Sequence, residues 1–315
     1  MQVLQINDTA LGFEERPTPE PGPHEVVVAV RAAGINAADL LQRQGFYPAP
    51  PGWPEDVPGL EMAGVVSAVG EEVHEPLLGR RVCAIVGGGA QATHCVVPAE
   101  HLIALPDHVE WADAGGFAEA FCTAHDALIT QAHLADSQRV LISGAAGGVG
   151  VAAVQIARLT GAHVTAVTRT SEHHERLREL GAHETITIDQ VGDIEPVDVV
   201  LELVGAAHLA GAMTVLAPRA HVVVIGVAGG SRVELDLRVL MGRRAVLTGS
   251  TLRARSHEEK AAVIERVVDS LVPAWTTGDL RVPVARTFDF ADAPDAYDFF
   301  AKSGKFGKVV MLIDN

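Results

Sequence analysis

A run of small residues between two apolar segments has the spacing of a phosphate-binding turn. Val140, Leu141 and Ile142 predict a short buried strand, and a helical pattern resumes at Val151 and continues to about Thr160. Glycines fill the turn between them, so the backbone could approach a pyrophosphate closely, and the helix N-terminus would offer free N–H groups. A glycine turn alone is a weak signal, and the surrounding elements decide its meaning. The predicted dinucleotide contacts are Ala145, Ala146, Gly147, Gly148, Val149 and Gly150.

The residues after the next predicted strand indicate which dinucleotide binds. That strand spans 162–168 and runs into Arg169, about 20 residues after the turn, where NAD-specific proteins usually carry Asp or Glu. An arginine there would pair with a 2′-phosphate, and neighbouring hydroxyls would donate hydrogen bonds to it. Glu172 favours NAD, and a solvated arginine at a helix entrance is the alternative. We predict NADPH (NADP) as the cofactor, with contacts from Thr168, Arg169, Thr170 and Ser171.

Two patterns of secondary structure surround these residues. From Met1 to about Leu105 the chain shows short strands separated by glycine and proline turns, typical of a partly open β-barrel. One helix is predicted over 112–132, softly broken at Gly115-Gly116. Strands then alternate with helices, which predicts a doubly wound parallel sheet with its ligand at the carboxyl ends of the strands. These strands are expected at 140–143, 162–168, 184–188, 197–203, 220–226 and 246–250.

A long helix near 257–275 follows the alternating region. The tail has a strand near Thr287, a helix at 293–301 and a last strand at 308–313. A lone hairpin and helix could not bury these apolar faces. The tail is therefore expected to return and complete the first domain.

The overall charge is strongly negative. Carboxylates outnumber Lys plus Arg by 40 to 24, which gives a formal net charge of −16. Such a surface repels nucleic acid and anionic membranes, so we expect neither of them as a partner. The expected partner is a small-molecule substrate. The three cysteines, at 83, 95 and 122, are spaced too irregularly for a disulfide framework, which fits a reduced, cytoplasmic setting. The start lacks a signal-peptide pattern, and no apolar run approaches membrane-span length.

Five runs carry a resemblance that covers nearly the whole chain. They are Gly34-Ile-Asn-Ala-Ala-Asp-Leu-Leu-Gln-Arg-Gln-Gly-Phe-Tyr47, Gly59-Leu-Glu-Met-Ala-Gly64, Gly87-Gly-Gly-Ala-Gln-Ala92, Gly144-Ala-Ala-Gly-Gly-Val-Gly150 and Gly307-Lys-Val-Val310. With these runs the chain resembles the medium-chain dehydrogenases/reductases, in their zinc-independent quinone oxidoreductase branch. The first and third runs look closest to the tumour-suppressor-inducible quinone oxidoreductases.

The resemblance implies an α/β protein with a GroES-like, partly open β-barrel domain and a doubly wound parallel-sheet (Rossmann) domain. The expected bounds are 1–115 with 277–315 for the GroES-like catalytic and substrate domain, and 116–276 for the Rossmann domain. A homodimer is expected through edge-to-edge pairing of the last Rossmann strand, Val246–Ser250, which would otherwise be an exposed apolar edge.

The zinc alcohol dehydrogenases of the same superfamily differ at their ligand positions. Where they carry a cysteine, a histidine and a third ligand, this chain has Asn36, Leu60 and Glu119. Leucine cannot bind zinc and asparagine binds it poorly, so no catalytic metal is expected.

The resemblance also assigns the remaining site residues. Asn36 and Tyr47 are the polar groups expected over the nicotinamide, where Asn36 would donate an amide N–H and Tyr47 would stack on or bond to a flat acceptor. The alternatives are a helix cap for Asn36 and a packing role for Tyr47. Further cofactor contacts are expected from Thr123, Ile225, Gly226, Val227, Ser250, Thr251, Leu252 and Lys308. The alternatives there are turn roles for Gly226 and Ser250 and a solvated charge for Lys308.

Three functions are compatible with these features. The leading hypothesis is an NADPH-dependent reductase of quinones, in which the nicotinamide supplies hydride. A second is an NADPH-dependent reductase of enones or other activated alkenes. A third, of another class, is an NADPH-binding protein without turnover that acts structurally or binds RNA, which the net charge of −16 disfavours.

Overall fold

The computed structural model describes residues 1–314 and divides the chain into two compact units. Unit 1 takes in Met1–Cys122 and the chain from Leu252 onward, and unit 2 takes in Thr123–Thr251. Before the first division point, the elements are β1 (Gln2–Asn7), β2 (Ala10–Glu15), β3 (Glu25–Ile35), α1 (Ala37–Arg43), β4 (Glu61–Val69), β5 (Arg81–Ile85), β6 (His94–Pro98), β7 (Leu102–Ala104) and α2 (Trp111–Ala114). Helix α3 (Ala118–His125) contains the division point itself.

The elements of unit 2 follow, and the tail returns to unit 1. Those of unit 2 are a π-helical turn (Asp126–Gln131), β8 (Arg139–Ile142), α4 (Gly148–Leu159), β9 (His163–Thr168), α5 (His174–Glu179), β10 (Glu184–Thr187), β11 (Val197–Glu202), α6 (Ala206–Ala212), β12 (Leu216–Val224), α7 (Leu237–Arg243) and β13 (Val246–Gly249). Those of the tail are α8 (His257–Thr277), β14 (Val284–Asp289), α9 (Ala293–Ala301) and β15 (Lys308–Leu312).

Strand β3 organises the main sheet of unit 1. It pairs antiparallel with β4, β6 and β15, and the sheet order is β14-β15-β3-β4-β5-β7. Its side chains at Val26, Val28 and Val30 are fully buried in the core, together with Val309 and Met311 of β15. The carboxyl-terminal strand therefore completes this sheet, and it brings Lys308 to the end of β3 where Ile35 lies.

Unit 2 contains a six-stranded parallel sheet in the order β10-β9-β8-β11-β12-β13. Its central strands are short apolar runs, and Val140, Leu141 and Ile142 of β8 are fully buried. Such runs are typical of parallel strands, which are covered on both faces. The six strands lie where the sequence predicts them, and their carboxyl ends meet at one edge of the sheet.

One predicted helix is interrupted where the sequence indicates, and one segment differs from the expected domain bounds. The predicted helix over 112–132 consists of α2, α3 and the π-helical turn, because Gly115 and Gly116 interrupt the first turn and glycine is a poor helix former. The segment 252–276, expected in the Rossmann domain, belongs to unit 1 together with residues 116–122.

The packing of α8 explains its place in unit 1. The ring of Trp275 is 3% exposed and stacks on Phe117 at a centroid distance of 4.0 Å, and Phe117 stacks on Phe121 at 4.6 Å. Lys260 is also buried, with its ammonium 5.6 Å from the centre of the Trp53 ring. Among residues 1–314, no helix has the length and apolar character needed to cross a membrane.

Substitution of Trp275 tests this packing. Trp275→Ala is expected to lower the free energy of unfolding by about 3–5 kcal/mol, because it removes a large buried ring and leaves a cavity. Denaturant unfolding measures the change. The matched variant Phe46→Ala, whose ring is 77% exposed, is expected to change it by less than about 0.5 kcal/mol. Equal effects of the two substitutions would contradict the packing.

Candidate active site

The glycine turn of unit 2 lies at the carboxyl end of β8. Gly147 is the N-cap residue of α4, with no capping side chain within the part of the chain that the structure describes. The N–H of Val151 bonds to the Gly147 carbonyl, so the first N–H groups of α4 have no partner within the helix. The residues of the turn from Ala146 through Val149 are partly exposed. This is the geometry of an anion site at a helix N-terminus.

Close packing fixes the shape of this turn. A Cβ at Gly150 would lie 2.5 Å from the carbonyl oxygen of Gly144, so no larger residue fits there. Ala145 is fully buried, and its N–H donates to the carbonyl of Val167 at 3.1 Å. That bond ties the turn to the end of β9, two residues before Arg169.

The residues after β9 present free polar groups beside the turn. Arg169 is exposed, and its guanidinium makes no hydrogen bond or ion pair within residues 1–314. Thr170 and Ser171 are exposed as well. Thr168 is buried, and its hydroxyl donates to the carbonyl of Thr170 at 2.8 Å, so it shapes the loop. Glu172 is exposed at the same loop.

Further predicted contacts lie at the same edge of the sheet. Ile225, Gly226 and Val227 follow β12, and the N–H groups of Ile225 and Gly226 donate to the Glu202 carbonyl at 2.9 and 3.2 Å. Ser250 and Thr251 follow β13, where the amide of Gln131 donates to the Ser250 hydroxyl at 2.6 Å. These segments, the turn and Arg169 thus gather at the carboxyl ends of neighbouring parallel strands.

Thr123, predicted as a cofactor contact, lies at the start of unit 2. Its hydroxyl is buried and has no hydrogen-bond partner within residues 1–314. A buried polar atom without a partner is costly, and a bound molecule removes that cost. The glycine turn, the free arginine and this hydroxyl together fit a nicotinamide dinucleotide.

A buried network that the sequence reasoning missed holds the end of β11. Glu202 is fully buried, and its carboxylate accepts hydrogen bonds from the Ser143 hydroxyl at 2.7 Å, the Gly205 N–H at 2.8 Å and the His208 ring at 2.5 Å. Burial raises the pKa of Glu202, but the bond from His208 and the other donors lower it more, so the pKa lies below its usual value. The network shapes the loop that follows β11. Its sequence signal was an acid directly after the apolar run Val199–Leu201.

In unit 1, Asn36 lies in a cluster with Lys308 and Glu61. The Lys308 ammonium lies 2.6 Å from Asn36 Oδ1 and 2.5 Å from Glu61 Oε1, and Asn36 Nδ2 donates to Glu61 Oε1 at 2.9 Å. Glu61 is fully buried and Lys308 is 2% exposed, whereas Asn36 is partly exposed. Lys308 is therefore not a solvated charge. Its ammonium binds Glu61 and Asn36, and its predicted contact with the cofactor stays a prediction.

The start of α1 holds Asn36 by its backbone. The N–H of Asn36 donates to Asp39 Oδ2 at 2.7 Å, and the N–H of Gly59 donates to Asp39 Oδ1 at 2.9 Å. Burial raises the pKa of Asp39 to about 6. Asn36 occupies the N-cap position of α1 in a capping box with Asp39, and its side chain also bonds to Lys308 and Glu61.

Tyr47 is held by Arg253, which the sequence reasoning did not identify. The guanidinium of Arg253 is buried and donates to the carbonyls of Gly87 at 2.7 Å and Tyr47 at 2.8 Å, and to Gln42 Oε1 at 2.6 Å. It also lies 5.1 Å from the centre of the Tyr47 ring. Leu252, predicted as a cofactor contact, is 6% exposed and belongs to unit 1, and its contact with the cofactor stays a prediction.

Glu119 adds a second carboxyl to the same cluster. Its backbone N–H donates to Glu61 Oε2 at 2.9 Å, and its side chain is partly exposed. Loss of water around the carboxyl, together with the charge of Glu61, raises the pKa of Glu119 to about 7. No three His, Cys, Asp or Glu side chains among residues 1–314 are arranged as metal ligands.

Comparison with known proteins agrees with both units. The family model of the alcohol dehydrogenase GroES-like domain matches residues 22–130, and that of the zinc-binding dehydrogenases matches residues 148–269. These matches confirm the predicted pair of folds.

Individual relatives match over nearly the whole chain. The synaptic vesicle membrane protein VAT-1 homolog of Rattus norvegicus is 31% identical, over 95% of this chain and 80% of that protein. The quinone oxidoreductase of Lama guanicoe is 30% identical, over 94% of this chain and 91% of that protein. Among solved structures, the quinone oxidoreductase of Thermus thermophilus, described with its NADPH complex, matches with a TM-score of 0.87 at 31% identity, over 99% of this chain and 100% of that one.

The raised pKa of Glu119 predicts a pH-dependent effect on stability. Since its folded pKa of about 7 exceeds the ordinary value of about 4.3, its contribution to stability is complete below about pH 4 and is lost as the pH rises through 7. Glu119→Gln removes this titration. The free energy of unfolding of the variant, relative to wild type, should therefore increase by roughly 1–3 kcal/mol from pH 5 to pH 8.

Urea unfolding at the two pH values measures this effect. Glu265→Gln is the matched control, because Glu265 is an exposed helical carboxylate on α8. Its effect is expected to be the same at both pH values. A pH-independent effect of Glu119→Gln would show that the Glu119 carboxyl is not perturbed.

Proposed function

The chain belongs to the medium-chain dehydrogenase/reductase superfamily, in its quinone oxidoreductase branch, and we propose that it is an NADPH-dependent reductase of quinones. Its relatives support an NAD(P)H-dependent oxidoreductase. One observation carries the finer proposal: the polar group at position 36 is a neutral amide, and Leu60 occupies the position at which the zinc enzymes carry a histidine. A neutral donor suits an acceptor that is already electrophilic and whose reduced form is a stabilised phenolate.

The proposed cofactor preference rests on Arg169. Its free guanidinium lies beside the glycine turn, in the region where a dinucleotide ribose binds in this fold. A 2′-phosphate would pair with it, and the hydroxyls of Thr170 and Ser171 would donate to the same group. The exposed Glu172 would repel that phosphate, but it does not bind Arg169 in the structure. The nicotinamide, when bound, supplies the hydride.

The residues of unit 1 would bind and orient the acceptor. Asn36 would donate an amide N–H to the acceptor oxygen on which negative charge develops. Tyr47, anchored by Arg253, would lie against the flat ring of the acceptor. After hydride transfer, a proton from solvent completes the hydroquinone. The same donor could bind the oxygen of an enone, which is the alternative substrate class. An enone needs stronger stabilisation of the negative charge on its oxygen than a quinone does.

A parallel assay of NADPH oxidation tests this function. An ortho-quinone, an enone and an alcohol with NADP are offered to the full-length protein, and absorbance at the NADPH band is followed. Quinone turnover that exceeds enone turnover, with no alcohol oxidation, is expected. Enone turnover alone would move the protein to the alkene reductases. Tight NADPH binding without any turnover would favour a non-catalytic role.

A variant of Arg169 tests the proposed preference for NADPH over NADH in the same assay. Arg169→Ala is expected to reduce the preference for NADPH over NADH by roughly 10- to 100-fold, since a charge-assisted hydrogen bond is worth about 1.5–3 kcal/mol. Turnover with NADH should be unchanged. Arg178→Ala is the control, because Arg178 is exposed on α5 of the same unit. An unchanged preference in Arg169→Ala would contradict the assigned role.

The exposed edge of unit 2 supports a homodimer. Strand β13 is the last in its sheet, and Val246 and Leu247 are 46% and 37% exposed. An apolar edge strand with free backbone groups readily pairs with a second copy. Leu247→Lys is therefore expected to convert a dimer to monomer in sedimentation at micromolar concentration. A wild-type protein that sediments only at 33.1 kDa would contradict the dimer.

The cellular setting is proposed from the cysteines. Cys83, Cys95 and Cys122 are all buried and free, and such thiols are stable in the reducing cytoplasm. The net charge of −16 disfavours nucleic acid and anionic membranes as partners. Cell fractionation that finds the protein outside the cytoplasm would contradict this setting.

A further inference from the structure

We propose that Lys308 and Glu61 are positioning residues, which hold the Asn36 side chain so that one amide N–H is directed at the acceptor. This inference deepens the proposed function and rests on it. Three contacts among three side chains carry it: Lys308 Nζ to Asn36 Oδ1 at 2.6 Å, Asn36 Nδ2 to Glu61 Oε1 at 2.9 Å, and Lys308 Nζ to Glu61 Oε1 at 2.5 Å.

The chemistry of the partners fixes which way the amide faces. An ammonium can only donate hydrogen bonds, so it faces the amide oxygen. An ionised carboxylate can only accept them, so it faces the amide nitrogen. A flipped amide would place NH2 against the ammonium and its oxygen against the carboxylate. Both contacts would then be repulsive, and the Asn36 amide has one stable orientation.

This arrangement leaves one group of Asn36 for a ligand. The Asn36 oxygen is bonded to Lys308, and one of the two N–H groups is bonded to Glu61. The second N–H makes no hydrogen bond within residues 1–314, and the residue is partly exposed. A ligand at Asn36 therefore meets a single hydrogen-bond donor.

The neighbouring backbone keeps the three side chains rigid. Glu61 Oε2 accepts a hydrogen bond from the backbone N–H of Glu119 at 2.9 Å. The backbone N–H of Asn36 donates to the Asp39 carboxylate. A Cβ at Gly34 would lie 2.3 Å from Glu61 Oε1, so only glycine leaves room for this carboxylate. A donor that is already oriented needs no reorganisation when negative charge develops on the acceptor.

Fold stability does not by itself account for the buried pair. Removing two charges from water is costly, and apolar residues of similar size often replace a buried ion pair without loss of stability. The ion pair is also neutral overall, so it orients a donor without supplying a strong acid. That suits acceptors whose reduced form is a stabilised anion.

A double-mutant cycle tests the inference. Asn36→Ala removes the donor, Lys308→Met with Glu61→Gln removes the charges that orient it, and a third protein combines all three changes. Each is assayed with NADPH and a series of quinones of decreasing reduction potential. Less electrophilic quinones depend more on a donor at their oxygen, so their rates should fall most.

The expected results distinguish a positioning role from a structural one. At saturating NADPH, Lys308→Met/Glu61→Gln should lower kcat by roughly 10-fold for the most readily reduced quinone and roughly 100-fold for the least. In the Asn36→Ala background the same two changes should have little further effect. Lys308→Arg, which keeps a cation, should restore part of the rate. Lys305→Met is the control, since the Lys305 ammonium bonds to carbonyls of the tail.

Two kinds of failure are distinguishable. If wild type reduces quinones but the effects of the substitutions are additive or equal for all quinones, the positioning role is overturned and the proposed function stands. If wild type reduces no quinone, the proposed function and the positioning role both fail. If Lys308→Met/Glu61→Gln does not fold, Lys308→Arg takes its place in the cycle. The effect of Lys308→Arg on kcat is then measured in the wild-type protein and in Asn36→Ala. An equal effect of Lys308→Arg in both would then overturn the inference.

Discussion

A buried charge needs a partner, and in unit 1 that requirement joins elements from distant parts of the sequence. Glu61 begins β4 and Lys308 begins β15, and neither side chain is exposed to more than 3%. Their ion pair forms only when the carboxyl-terminal strand pairs with β3. The sheet, the glycine at position 34 and the amide of Asn36 therefore depend on one another. The same contact that satisfies the buried charges also orients a group that can bind an acceptor.

In unit 2, the topology of the parallel sheet brings the candidate site residues together. Parallel strands end at one edge of the sheet, so short loops from separate parts of the sequence meet there. The glycine turn after β8, the arginine after β9 and the loop after β12 gather at this edge. Glu202 holds the loop after β11 through buried hydrogen bonds. The groups that could bind a ligand at the glycine turn are mainly backbone N–H groups. Those in the cluster of unit 1 are side chains.

The two clusters suit a division of labour that is common in cofactor-dependent enzymes. The cofactor carries the difficult chemistry, and the protein provides binding, orientation and a suitable electrostatic environment. In this oxidoreductase the residues at positions 36 and 60 are an amide and a leucine, and a lysine–glutamate pair lies against the amide. A neutral, fixed donor provides modest stabilisation of negative charge. Such a donor would suit the electrophilic acceptor that we propose.

Local patterns in the sequence determined a large part of this protein. The apolar runs and the glycine turn at 144–150 predicted the parallel sheet and its ligand edge, because strand periodicity and glycine geometry are local properties. Arg169, Asn36 and Tyr47 were identified by their positions in motifs. The tertiary structure decided what these residues touch. Arg253 lies far from Tyr47 in the sequence, and Lys308 far from Asn36, so no local pattern could reveal either contact. For the same reason, the sequence alone could not assign α8 to unit 1 or show that Lys308 is buried. Ion pairing and burial depend on which distant segments meet, and only the folded chain specifies that.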